Sequence, residues 1–81
     1  MKYEIKILKR ARKFIEKQNP TQRKRLVDAI NQLPFAGDIV PLANRSGVFR
    51  LRVGGYRVIY SIEQEILTIF ILTAGNRGDI Y

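Results

Sequence analysis

The sequence predicts an α+β fold: an N-terminal strand, a two-helix hairpin, then a three-stranded antiparallel meander forming one sheet with the helices packed on one face. Three observations carry it. Apolar residues alternate at Tyr3, Ile5 and Ile7 and then switch to helical spacing at Ala11, Phe14 and Ile15. Asn19-Pro20 restarts the helical pattern, pairing a capping side chain with a proline that needs no N–H at the first helical position. From Val48 onward, three runs rich in Val, Ile, Tyr and Phe are punctuated by Gly54-Gly55 and by Glu63-Gln64-Glu65.

In chain order, residues 2–7 read as a half-buried strand, with Lys2, Glu4 and Lys6 on its polar side. The first helix leaves Arg10, Arg12, Lys13, Glu16 and Lys17 to solvent. In the second, Leu26, Val27, Ala29, Ile30 and Leu33 form the apolar stripe, and Pro34 ends it because the residue before a proline disfavours helix. Residues 34–47, with two prolines and two glycines, read as a loop with Ile39, Val40 and Leu42 against the core. Val48–Val53, Tyr56–Ile62 and Ile66–Ala74 are the meander strands. The last is apolar on both alternate sets, the pattern of a central strand covered on both faces.

The chain has 81 residues with no Cys, His or Trp. That length fits a single domain, 1–81, of modest stability, since a domain this small buries only roughly 60% of its unfolded surface. Thiol and imidazole chemistry are excluded, along with disulfides and the usual zinc ligand sets. Neither a secretion signal nor an apolar run of the ~20 residues a membrane helix needs is present, so the expected compartment is the cytoplasm, with no membrane partner.

Fifteen Lys and Arg against seven Asp and Glu give a net charge of +8, which calls for an anionic partner. Residues 1–25 hold ten cations and two acids, so they carry all of it; residues 26–81 hold five of each. All six lysines lie in the first block, whereas the cations of the second are arginines: Arg45, Arg50, Arg52, Arg57 and Arg77. Arginine offers a planar fork that grips phosphate bidentately, where lysine is a point charge.

Gly54-Gly55 has the length and composition of a tight hairpin turn, which sets the register. Residues whose numbers sum to 109 then face each other: Val53 with Tyr56, Arg52 with Arg57, Leu51 with Val58, Arg50 with Ile59 and Phe49 with Tyr60. Alternation places Phe49, Leu51, Val53, Tyr56, Val58 and Tyr60 on one face, and Arg50, Arg52, Arg57 and Ile59 on the other. Arg52 opposite Arg57 is a like-charge pair that costs the sheet a fraction of a kcal/mol or more, and a bound polyanion would offset it. Pairing with Glu63, Glu65 or Asp79 is the purely structural alternative. No acidic cluster suited to two-metal chemistry is visible: Glu63 and Glu65 bracket a turn, while Asp38 and Asp79 stand apart. No metal and no small-molecule cofactor is therefore expected.

The element order, with the segments Phe49-Arg50-Leu51-Arg52-Val53-Gly54-Gly55-Tyr56-Arg57-Val58-Ile59-Tyr60 and Gly75-Asn76-Arg77-Gly78-Asp79-Ile80-Tyr81, resembles the RelE/ParE superfamily of type II toxin–antitoxin toxins. The resemblance covers nearly the whole chain and is closer to the RelE branch, whose members cleave mRNA in the ribosomal A site. It implies that Arg50 and Arg52 match an alternating basic pair, lysines in well-studied members, that contacts the mRNA phosphate and assists proton transfer. It further implies that Arg57 stabilises the phosphorane-like transition state, that Arg77 donates to the leaving 5′ oxygen, and that Tyr81 stacks on or orients a base. Arginine at both positions of the alternating pair departs from the pattern and leaves no group there that readily gives up a proton. The C-terminal helix of some members also has no counterpart, which would place the Tyr81 α-carboxylate beside the site. Water, an rRNA group, Tyr81 and its carboxylate all stand open as the base.

The expected partners are a cognate antitoxin protein, mRNA and the ribosome. Phosphates of rRNA would be met by Lys6, Lys9, Arg10, Lys13, Arg23, Lys24 and Arg45, a solvated cationic face being the plain alternative. Two other functions fit the same chain: a ParE-like inhibitor of DNA gyrase without nuclease activity, and a noncatalytic basic module binding RNA or protein.

Overall fold

The computed structural model describes residues 2–76. In chain order these form β1 (Glu4–Ile7), α1 (Lys9–Glu16), α2 (Pro20–Asn31), β2 (Asp38–Pro41), β3 (Val48–Val53), β4 (Tyr56–Glu63), a single 3-10 turn (Gln64–Ile66) and β5 (Thr68–Asn76). The strands make one five-stranded sheet in the order β1-β5-β4-β3-β2, in which β1 runs parallel to β5 and every other pair is antiparallel. The predicted α+β class and helical hairpin are both present.

Local chemistry explains the helices. The Asn19 side-chain oxygen accepts the Gln22 backbone N–H at 2.9 Å, and Pro20 occupies the first turn of α2. Helix α1 has no side-chain cap; its start is held to the sheet by the Leu8 N–H, which donates to the Ile71 carbonyl at 3.0 Å. Both helices press their apolar stripes on one sheet face. There Ala11, Ile15, Leu26, Ile30 and Leu33 meet Leu51, Val58, Tyr60, Ile69, Ile71 and Ala74 to form the core.

Four features differ from the sequence reading. Residues 34–47 are not all loop, because Asp38–Pro41 pairs with β3 as an edge strand. It is short and turns only Ile39 toward the core, and its proline is tolerated because the strand lies at the edge. Gly37 makes the entry possible: its φ is +128°, and a Cβ there would sit 2.7 Å from Leu51 Cδ1. The last strand begins at Thr68 rather than Ile66; Ile66 is 63% exposed on the turn that Leu67 closes with φ 49°. That strand also continues to Asn76 and carries a bulge. Ile59 pairs with Thr73 but Tyr60 with Ile71, so Leu72 is the extra residue. The bulge turns Ile69, Ile71 and Ala74 all inward, leaving Thr73 and Gly75 on the face away from the helices. Finally, helices cover β5 on one face only, so Phe70 and Leu72 are half-buried rather than enclosed.

Tyr60 is 1% exposed, stacks on Phe49 at 5.5 Å, and has its phenol pushed up from 10.0 to about 12 by burial. The folded protein therefore holds this proton more tightly than the unfolded chain, and stability falls as pH rises through the window from 10.0 to about 12. Replacing Tyr60 by Phe should flatten the loss of denaturation midpoint across that window. Superimposable alkaline profiles for the two proteins would contradict the assignment.

Candidate functional site

The site is built on the face of the sheet away from the helices. Strands β3 and β4 pair in the register expected from Gly54-Gly55, with Arg52 opposite Arg57 and Arg50 opposite Ile59. Gly54 takes φ +59° at the first central position of the turn, a conformation that favours glycine; the nearest atom to a Cβ there would be Arg25 Nη2 at 3.0 Å, the mobile end of an exposed side chain. On the inner side the hairpin is locked to α1. Tyr56 meets the Phe14 ring edge-on at 5.8 Å, and its hydroxyl donates to Gln18 Oε1 at 3.0 Å. Those contacts hold the backbone that aims the arginines outward.

Arg50, Arg52 and Arg57 therefore share one face, joined by Thr73 and Gly75 of β5; Gly75 pairs directly with Arg57. Ile59 is only 4% exposed on this face although no helix covers it. Its neighbours there are Arg50 across the ladder and Arg57 two positions back, and the Arg50 side chain is itself only 16% exposed. An arginine with its stem flat on the sheet and its fork at the rim fits both values.

The residue that the sequence reading missed is Asp38. Strand β2 places it directly opposite Arg52, and one carboxylate serves two arginines: Oδ2 lies 3.2 Å from Arg52 Nε and Oδ1 lies 3.4 Å from Arg50 Nη2. The expected acid partners were Glu63, Glu65 or Asp79. Asp79 lies outside the described residues, while Glu63 and Glu65 sit at the β4–β5 turn, the other end of the strands. Only recognition of residues 38–41 as an edge strand would have exposed Asp38. A half-exposed pair of this kind is weak, worth up to about 1 kcal/mol, and ready to exchange for a better anion. Arg50 Nε is buried and makes no hydrogen bond among the described residues.

The remaining predicted residues divide by location. Lys6 projects from β1 on the arginine side, exposed and level with Phe70. Lys9, Arg10 and Lys13 lie on α1, and Arg23 and Lys24 on α2, all exposed, with the helices on the opposite side of the sheet from the arginines. Lys24 is held by Asp28 at 2.9 Å. Arg45 is exposed in the turn between β2 and β3. The cations thus form two surfaces. Arg77 and Tyr81 lie outside the described residues; in sequence, Arg77 follows by two positions the Gly75 that pairs with Arg57. Among the described residues no group of three or more acidic, His or Cys side chains could hold a metal ion, and no helix is long and apolar enough to cross a membrane.

Comparison with known proteins agrees with this architecture. Residues 5–81 match the family model described as the ParE toxin of type II toxin-antitoxin system, parDE. Toxin RelG of Mycobacterium tuberculosis is 32% identical over 90 residues, an alignment spanning 100% of this chain and 98% of RelG. The archaeal RelE–RelB complex from Pyrococcus horikoshii contains a chain of similar structure, with a TM-score of 0.80 at 29% identity, covering 98% of this chain and 99% of that one. The toxin–antitoxin complex RelBE2 of M. tuberculosis gives a TM-score of 0.73 at 28% identity over 95% of this chain and 100% of the other. With family match, full-length relative and fold in agreement, the chain belongs to the RelE/ParE family of type II toxin–antitoxin toxins.

Proposed function

We propose that this toxin is a ribosome-dependent mRNA endoribonuclease that cuts in the A site by metal-independent attack of the 2′-hydroxyl on the adjacent phosphate. The observation that carries the reading is the convergence of Arg50, Arg52 and Arg57 on one open sheet face. RNA supplies its own nucleophile, already held near the phosphorus, so the protein has to contribute positioning and charge stabilisation. The three guanidinium forks suit the non-bridging oxygens, whose charge grows in the transition state; each well-placed donor is worth about 10²–10³ in rate by analogy with oxyanion sites. Arg77 serves as the donor to the leaving 5′ oxygen, and Tyr81 as a base platform worth roughly 1–3 kcal/mol.

The helix cations Lys9, Arg10, Lys13, Arg23 and Lys24, facing away from the arginines, serve as a second surface that meets rRNA phosphates, with Lys6 and Arg45 flanking the cut strand. A cognate antitoxin is the protein partner in this reading, supported by similar chains seen in RelE–RelB and RelBE2 complexes. The cytoplasm, where ribosomes and mRNA are found, is the compartment.

The matched family model carries the ParE name, which keeps inhibition of DNA gyrase as the second reading. Adding the purified protein in parallel to a reconstituted translation reaction and to a gyrase supercoiling reaction separates the two. The expected result is arrested translation with supercoiling unchanged. The reverse pattern would turn the arginine face into a binding surface.

A further inference from the structure

We propose that Asp38 is the proton acceptor for the attacking 2′-hydroxyl, a carboxylate set inside the arginine cluster; the inference rests on the RNA-cleavage reading above. The chain has no His and no Cys, and arginine does not give up its proton, so the arginine face alone holds nothing to take the proton released when the 2′ oxygen attacks. Asp38 supplies the missing group. Its carboxylate lies within 3.4 Å of Arg50 and 3.2 Å of Arg52, and its side chain is 50% exposed, open to an incoming strand.

The other acids of the described residues are placed elsewhere. Glu63 is six positions along β4 from Arg57, about 20 Å at ~3.3 Å per residue. Glu4 pairs with Thr68 at that same far end, and Glu65 sits in the adjoining 3-10 turn. Asp28 is engaged by Lys24 on α2, and Glu16 ends α1.

The covalent layout of RNA makes this position productive. Only C2′, C3′ and O3′ separate the 2′ oxygen from phosphorus, so guanidiniums holding the non-bridging oxygens bring the 2′-hydroxyl to whatever stands between them. In the free protein Asp38 meets Arg50 Nη2 at 3.4 Å and Arg52 Nε at 3.2 Å, which leaves the terminal nitrogens of the half-exposed Arg52 fork for phosphate. The step balances without metal or redox partner. The carboxylate takes the 2′-hydroxyl proton, O2′ bonds to phosphorus, and the P–O5′ bond breaks with its electron pair on O5′. That oxygen then takes a proton from an acid or water, leaving a 2′,3′-cyclic phosphate and a 5′-hydroxyl. Asp38 afterwards returns its proton to solvent.

Single-turnover cleavage on mRNA-programmed ribosomes, compared for wild type, Asp38→Asn and Asp38→Glu, tests this. Binding is measured in parallel on mRNA carrying a 2′-deoxy nucleotide at the cut, which cannot react. Asp38→Asn should slow cleavage by about 10²–10⁴-fold and remove the acid limb of the pH–rate profile. Binding should stay equal or tighten, because a negative charge leaves a cationic site. Asp38→Glu should restore part of the rate with the acid limb. Cleavage by Asp38→Asn within about threefold of wild type would overturn the inference and make Asp38 a competing counter-ion. Parallel loss of rate, binding and thermal midpoint would also overturn it, reducing Asp38 to a structural ion pair. Absence of cleavage by folded wild-type protein would instead defeat the nuclease reading itself, and the inference with it.

Discussion

Arg57→Ala is expected to abolish growth arrest on expression while leaving the soluble level and thermal midpoint close to those of wild type. Arg57 stands on β4 opposite Arg52, on the face away from the helices, with its backbone paired to Gly75. Loss of one fork aimed at the charge-bearing oxygens should slow cleavage by about 10²–10³-fold, enough to remove the phenotype. The fold should tolerate the change, because the side chain is outside the helix-facing core. Arg57→Lys keeps the charge but not the fork, so an intermediate rate is expected. Full toxicity of Arg57→Ala at matched soluble protein would remove Arg57 from the mechanism. The same assay on Arg77→Ala and on a chain lacking Tyr81 assigns those two residues in the same terms.

The largest effect on stability is expected from Ile71→Ala. Ile71 is fully buried on an interior strand, paired with Tyr60 on one side and Ile7 on the other, and its carbonyl accepts the Leu8 N–H that anchors the start of α1. Deleting its buried carbons removes their transfer energy and leaves a cavity beneath α1, a loss of about 2–5 kcal/mol against about 0.5–1.5 for Ile71→Val. In a domain whose total stability falls at or below the usual ~5–15 kcal/mol, that is a large fraction. Urea unfolding should show a lower midpoint with an unchanged slope, and equal midpoints for Ile71→Ala and wild type would contradict the placement. In cells Ile71→Ala should lose toxicity through loss of soluble protein, whereas Arg57→Ala should lose it with soluble protein intact.

The arginine face was legible because it depends on one turn. Two glycines between runs of β-branched and aromatic residues set a register, and strict alternation along each strand did the rest, so Arg50, Arg52 and Arg57 could be placed together from spacing alone. The helix start at Asn19-Pro20 was legible for a similar reason, since capping depends on residues adjacent in sequence. Asp38 was hidden because it is brought to the site by a non-local pairing. A four-residue edge strand containing proline, with one residue turned inward, carries no periodicity of its own, and its strand state follows only from the free edge that β3 offers. The bulge at Leu72 escaped notice because apolar residues run on through β5, which conceals the extra residue that keeps Ile71 and Ala74 on the same face. The same continuous run suggested cover on both faces, while the outer face of β5 is left to Phe70, Leu72 and Thr73, all half-buried.

The separation of the cations also bears on function. Ten cations lie in residues 1–25, and the helices that carry most of them sit across the sheet from Arg50, Arg52 and Arg57. Charge on the helix side contributes affinity without sequence information, while the arginine side faces whatever strand is cut.

The most direct measurement is primer extension on an mRNA translated in a purified system, with and without the protein, mapping each new end against the A-site codon. Cuts inside that codon which require the ribosome and are absent from naked mRNA are the expected result. Intact mRNA in the presence of folded protein would contradict it.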